Sequence, residues 1–231
     1  MIEPVYTEHP LRGISMARMS ALRDRLRPDV EFHIYRHGNA APQASTADGT
    51  DFQRQLTEKG RSQVRRLGQK IVGIPYDLVI SSPAPRAIHT ALIATVESRI
   101  DSNPMFHIGT GVQFYSPTTP GHFAELLRIG AGLQYNNYGE YLRADTMSIW
   151  PTFRAEMLGN LLGILGIAAA RQIFVSNHGV IGSCLAEALL QVLAGEIDEQ
   201  SREVLYNTSA AECSCFQVSR AGVQYIDYLA T

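Results

Sequence analysis

Three short apolar runs, each ending near a histidine or an arginine and each separated from the next by helix-length segments, constrain this chain of 231 residues more than anything else in it. The first closes as Ile34-Tyr35-Arg36-His37-Gly38. The second begins at Asp77, passes through Leu78-Val79-Ile80-Ser81-Ser82-Pro83 and continues to Arg86. The third, Gln172-Ile173-Phe174-Val175-Ser176-Asn177, ends in His178-Gly179. Runs this short and this apolar, alternating with helical patterns, read as strands of a largely parallel sheet buried on both faces. The predicted fold class is α/β: a three-layer sandwich with a mostly parallel central sheet, helices on both faces and an antiparallel edge hairpin. In such sheets ligands bind beyond the carboxyl ends of the strands, where these cations and imidazoles fall.

The segments between carry helical spacing. Thr57 is placed to cap a helix bearing Val64, Leu67 and Ile71. Ser82-Pro83 predicts a helix start with proline first, Arg86 in the first turn and free N–H groups aimed at the sheet edge. Phe153, Met157, Leu158, Leu161 and Leu165 mark one later helix, and Val180 to Leu193 another with Ile181, Leu185, Leu189 and Val192 inward. Cys213 to Val218 and Val223 to Tyr228, joined by Arg220-Ala221-Gly222, predict the closing hairpin. Residues 1–29 are expected to be an N-terminal extension with a helix from Ile14 to Leu26, its Met16, Met19, Leu22 and Leu26 on one side. Residues 30–231 are expected to form one domain, with Asn39 to Arg54 as a loop over the site and 103–150 as a proline- and glycine-broken insertion that walls the pocket.

Composition narrows the partners. Net charge is −2 and no Lys/Arg run occurs, which argues against a nucleic-acid surface. No apolar run approaches the roughly 18 residues needed to span a membrane, and the N-terminus lacks a signal pattern, so a cytoplasmic location is expected. Three cysteines, Cys184, Cys213 and Cys215, do not make a disulfide framework. Cys213 and Cys215 alternate along a predicted strand and are expected to be buried on one face of it.

An Arg-His pair at a strand end, where backbone amides become free, suits gripping a phosphoryl group and attacking it with nitrogen. Arg36-His37-Gly38, Ser81-Ser82-Pro83-Ala84-Pro85-Arg86-Ala87, His178-Gly179 and Leu56-Thr57-Glu58-Lys59-Gly60 together resemble the histidine phosphatase superfamily, the phosphoglycerate-mutase-like proteins, over about residues 30 to 228. Arg36-His37-Gly38-Asn39-Ala40, the acidic loop and Gln55-Leu56-Thr57 look more like the SixA-like phosphohistidine phosphatase branch than like mutases. The resemblance implies that His37 is a nucleophile that becomes phosphohistidine. It implies that Arg36 and Arg86 bind phosphate, that His178 adds a donor as imidazolium, that Asn39 contacts substrate, and that no cofactor or metal takes part.

One expected residue is missing. Many family members carry a glutamate general acid after the Ser-Ser-Pro arginine, where this chain reads Gly111-Val112-Gln113-Phe114-Tyr115 without a carboxylate. Glu125 is the substitute this sequence offers, while Glu97 and Asp101 read as surface acids. His33, four residues before His37, is expected to be a satisfied sheet histidine rather than a metal ligand, as are His89, His107 and His122, of which His122 is a candidate for the pocket wall. The expected function is a phosphatase acting on a phosphomonoester or phosphoramidate through His37. A phosphomutase and a catalytically weak phospho-ligand sensor or scaffold are the alternatives. The few basic residues in 39–54 and 103–150 favour hydrolysis over mutase chemistry. The expected partner is a small phosphorylated molecule or a phosphohistidine protein, because a phosphate on nitrogen leaves as neutral imidazole and needs little acid.

Overall fold

The computed structural model describes residues 16–43, 50–98, 105–108, 112–134 and 137–230. In chain order these form α1 (Met16–Arg25), β1 (Glu31–Arg36), α2 (Glu58–Lys70), β2 (Leu78–Ser81), α3 (Pro85–Glu97), β3 (Met105–Ile108), α4 (His122–Ala131) and α5 (Tyr138–Ala144). There follow α6 (Ile149–Gly163), β4 (Gln172–Asn177), α7 (Gly179–Ala194), α8 (Glu199–Asn207), β5 (Cys215–Ser219) and β6 (Gly222–Ile226). The sheet runs β3-β2-β4-β1-β5-β6. The first four strands are mutually parallel, and β5 is antiparallel to both β1 and β6. The α/β sandwich with an antiparallel edge hairpin is therefore the observed architecture.

Alternation along the strands builds two cores. Phe32, Ile34, Ile80 and Val175 join a cluster that includes Leu158 and Leu161 of α6 and Leu185 and Leu189 of α7. Tyr35, Val79 and Phe174 face the other way, onto Val64 and Leu67 of α2 and Ala91 and Ala94 of α3. His33 sits in the sheet with Tyr76 Oη 2.9 Å from its Nδ1, a satisfied histidine as expected. At the chain's start, Leu22 and Leu26 are buried, and α1 packs on α6 and α7. Ile14 lies outside the described residues, as does Asp101. No helix among the described residues is long and apolar enough to cross a membrane.

Several boundaries differ from expectation for local reasons. The helix after β2 starts at Pro85, not at Pro83. Ala84 precedes a proline and is held extended at φ −67° and ψ 134°, so it is the N-cap. Cys213 is not on a strand: its φ of 62° puts it in a left-handed turn before β5. All three cysteines are nonetheless buried free thiols. Leu165 falls beyond the end of α6 and is exposed. The stretch that sequence patterning leaves as short elements contains β3, which pairs with β2 at the sheet edge, together with α4 and α5.

Register sets the site. Arg36 lies opposite Asn177, and Ser81 opposite Ser176, so β1, β4 and β2 end together. Two bonds carry the ladder one residue further, from His37 N to Asn177 O and from Ser82 N to Ser176 O, both 2.9 Å. The chain leaves β1 toward β2 through α2, but leaves β4 toward β5 through α7 and α8. Connections that diverge from two adjacent strands open a crevice at their carboxyl ends, the position at which α/β sheets bind ligands.

Candidate active site

Four residues meet in that crevice. The rings of His37 and His178 have centroids 5.2 Å apart, and Arg86 Nε donates to His37 Nε2 at 3.0 Å. The Arg36 side chain lies against the first turn of α7, where a Cβ added at Gly179 would come within 3.6 Å of it. All four side chains line one cavity of about 250 Å³.

His37 is held as a neutral imidazole. Its Nδ1 is 2.7 Å from the carbonyl oxygen of Gly38. A carbonyl only accepts, so Nδ1 carries the hydrogen and Nε2 keeps its lone pair. Burial first, and then the Arg86 charge, pull the imidazole down to about 3. The loop that presents it is compressed from behind: a Cβ at Gly38 would lie 2.8 Å from Gly60 O, and one at Gly60 would lie 2.0 Å from Asn39 O. Gly60, at the end of the Leu-Thr-Glu-Lys-Gly segment, thus lets α2 press directly on the loop that carries His37. Thr57 caps that helix by accepting from Gly60 N at 3.0 Å.

His178 is also neutral, contrary to the imidazolium expected. Burial first, and then the Arg86 charge, push it well below its ordinary range. Its Nε2 lies 2.8 Å from the buried hydroxyl of Ser82. Ala84 N is 3.4 Å from that same oxygen, and the hydroxyl can accept there while donating its own hydrogen to Nε2. In that arrangement the hydrogen of His178 sits on Nδ1, which is buried with no partner. Arg36 has a second orphan: Nη1 donates to Ala210 O at 2.5 Å, whereas the buried Nε bonds to nothing. Two unpartnered buried donors at one cavity call for an anion.

The backbone amides expected to be free beyond β1 are taken. His37 N bonds to Asn177 O, Gly38 N to Thr90 Oγ1 and Asn39 N to Gln63 Oε1. The free helix turn is instead that of α7, which has no side-chain cap and whose Gly179, Val180 and Ile181 line the cavity. From the first turn of α3 only Arg86 reaches it.

Two expected site residues are not brought there. Glu125 is absent from the cavity lining, and Arg128 holds its carboxylate at 2.6 and 2.7 Å, lowering its pKa, because the two share one exposed helix face three residues apart. Asn39 is occupied structurally, accepting from Thr57 Oγ1 at 2.6 Å and donating to Glu212 at 2.7 Å. His122 is likewise not a lining residue, although its neighbour Phe123 is.

Sequence reasoning missed three residues that the structure adds. Asp51 Oδ2 lies 2.7 Å from Arg86 Nη2 and accepts from Tyr115 Oη at 3.0 Å. Its Oδ1 accepts from Arg54 at 2.8 Å. Burial pushes the Asp51 carboxyl up, but the Arg54 hydrogen bond and the Arg86 charge outweigh it and keep it ionised. Glu212 lines the cavity beside Arg36, tied by Asn39 and by Gln63 at 2.9 Å. The acidic content of the loop after Gly38 was the available signal for Asp51; Tyr115 and Glu212 carried none.

Residues 32–104 match the histidine phosphatase superfamily (branch 1). No curated protein matches the chain in sequence. Among solved structures, an α-ribazole phosphatase from Shigella flexneri is similar at 17% identity and a TM-score of 0.52, over 85% of this chain and 95% of that one. A phosphoglycerate mutase from Bacillus anthracis is similar at 16% identity and a TM-score of 0.49, over 87% and 95%. Under half of the chain is thus similar in sequence to the histidine phosphatase superfamily (branch 1), and the fold is that of the Shigella flexneri phosphatase.

Proposed function

We propose that the protein is a phosphatase that works through a covalent phosphohistidine on His37. The lone pair of Nε2 attacks phosphorus, the bond from phosphorus to the leaving group breaks, and the leaving group departs with its electron pair. Water then attacks phosphorus and the P–N bond breaks. One proton of that water stays on inorganic phosphate, and the other neutralises the leaving group. Arg36, Arg86, the Nδ1–H of His178 and the first turn of α7 stabilise the equatorial oxygens through both steps. These side chains supply nucleophile and positive charge together, so the reaction is proposed as cofactor-independent.

The observation that carries this reading is the locked tautomer of His37, with Nδ1 bound to Gly38 O and Nε2 facing the arginine. A sensor needs only the cations. A mutase must hold a second anionic group while the substrate turns, and the remaining lining cation, Arg54, is already bound to Asp51 and to Ala41 O. The test is rapid mixing with a phosphate ester followed by an alkaline quench. An acid-labile phosphoryl group on His37, absent in His37→Gln along with turnover, is the expected result. Turnover that persists in His37→Gln would end the proposal.

A further inference from the structure

Away from its cationic end, the cavity is walled by Phe123, Leu126 and Leu127 of α4, Tyr141 of α5 and Trp150 of α6. The rings pair off: Tyr115 and Phe123 have centroids 5.1 Å apart, and Tyr141 and Trp150 5.9 Å. None of the three lining arginines belongs to this wall, and the lining carboxylates are Asp51 and Glu212. Arg54 and Arg86 hold Asp51 ionised, and Asn39 and Gln63 bind Glu212. Neither is placed to hand a proton to a leaving oxygen. Ser183, Thr208 and Ser209 also line the cavity, but this aromatic and aliphatic wall gives no charge to a second phosphate or a carboxylate. It offers stacking and apolar burial to a flat ring.

We propose that the substrate, within the phosphatase reading above on which this rests, is a small phosphomonoester with an uncharged aromatic leaving group seated against α4, α5 and Trp150. Two independent observations meet here. The apolar rings select an aromatic group, and the lack, among the described residues, of a lining carboxylate free to give a proton selects a leaving group that needs none. A phenol ionises near 10, whereas water ionises near 15.7. An aryloxide can therefore leave with the P–O electron pair under arginine stabilisation alone, taking its proton afterwards from the attacking water. A cavity of about 250 Å³ is smaller than the roughly 300–1,000 Å³ that encloses drug-sized ligands, which sets the scale at a single small ring system.

The test compares phenyl phosphate, methyl phosphate, glycerol phosphate and phosphohistidine with the full-length protein, and a set of substituted phenyl phosphates whose phenols span a range of acidity. Burying a ring is worth about 1.5–3 kcal/mol, so kcat/KM for phenyl phosphate should exceed that for glycerol phosphate at least about tenfold. Rates should rise steeply with phenol acidity. Leu127 is 47% exposed and so is replaceable without opening a core; Leu127→Asp should bring the KM values of phenyl and methyl phosphate close together. Faster turnover of glycerol phosphate or phosphohistidine, with His37 still phosphorylated, overturns the substrate class alone. An unchanged phenyl-to-methyl KM ratio in Leu127→Asp does the same. No turnover of any ester and no label on His37 overturns the phosphatase reading as well.

Discussion

The carboxylate of Asp51 occupies the guanidinium of Arg86, with Oδ2 2.7 Å from Nη2 and the Asp51 carbonyl 2.6 Å from Nη1. The third nitrogen, Nε, is bound to His37. Every face of Arg86 is therefore engaged, and an incoming phosphate must take over from a carboxylate that already satisfies it. Removing that competitor strengthens anion binding. Charge-assisted hydrogen bonds are worth about 1.5–3 kcal/mol, so Asp51→Asn is expected to lower the inhibition constant for vanadate about tenfold or more. Weaker vanadate inhibition in the variant would show that Asp51 supports the anion site instead of competing for it.

Burial of neutral His37 makes stability depend on pH. The imidazole titrates at about 3 in the folded chain and near 6.5 unfolded. Between these values the unfolded chain binds the extra proton, so the contribution is complete above the unfolded value and is lost as pH falls toward the folded one. Urea unfolding at pH 5 and at pH 6 should show the wild type gaining about 1 kcal/mol more than His37→Gln over that interval. Equal gains would mean that His37 is charged in the folded protein.

Gly60 predicts a structural failure that reaches the nucleophile. A Cβ there would lie 2.0 Å from the Asn39 carbonyl oxygen, a contact with backbone that no rotamer relieves. Overpacking costs about 1–3 kcal/mol, and the backbone that must move carries His37. Gly60→Ala should lower the urea midpoint and reduce kcat together, whereas Gly73→Ala, with nothing within 4 Å of the new methyl and a left-handed φ of 90°, should lower the midpoint alone. Retained kcat in Gly60→Ala would dissociate the α2 contact from His37 placement.

The sheet was legible because β1, β2 and β4 each carry a short run rich in Ile, Val, Leu and aromatic residues that stops at polar punctuation, a pattern that local physics alone produces. Their shared end brought Arg36, His37, Arg86 and His178 into one reading. β3 was not legible: Met105–Ile108 lies between Pro104 and Gly109, in a stretch whose prolines and glycines read as a broken loop. The state of the site was hidden for another reason. Whether the amides after Arg36 are free, or whether His178 is charged, depends on Thr90, Gln63 and Ser82 arriving from other elements, and no local pattern encodes those meetings. Asp51 and Glu212 became visible only through the arginines and amides they bind. Glu125 failed as an acid because Arg128, one turn away on the same helix, is the nearer partner.

Ser82 tests the tautomer of the second histidine. Its hydroxyl is buried and lies 2.8 Å from His178 Nε2; a hydrogen donated there would place the imidazole hydrogen on Nδ1, which has no partner. Removing the hydroxyl leaves Nε2 unpartnered in the interior, a loss of about 1–3 kcal/mol, and lets the hydrogen shift to the ring nitrogen that points away from the substrate. Ser82→Ala is therefore expected to lower kcat/KM by about 10- to 100-fold with the vanadate inhibition constant rising in parallel. Ser82→Thr keeps the hydroxyl and should restore most of both. A purely structural role would show as a lower unfolding midpoint in Ser82→Ala with vanadate affinity intact, and that outcome would remove Ser82 from the positioning of His178.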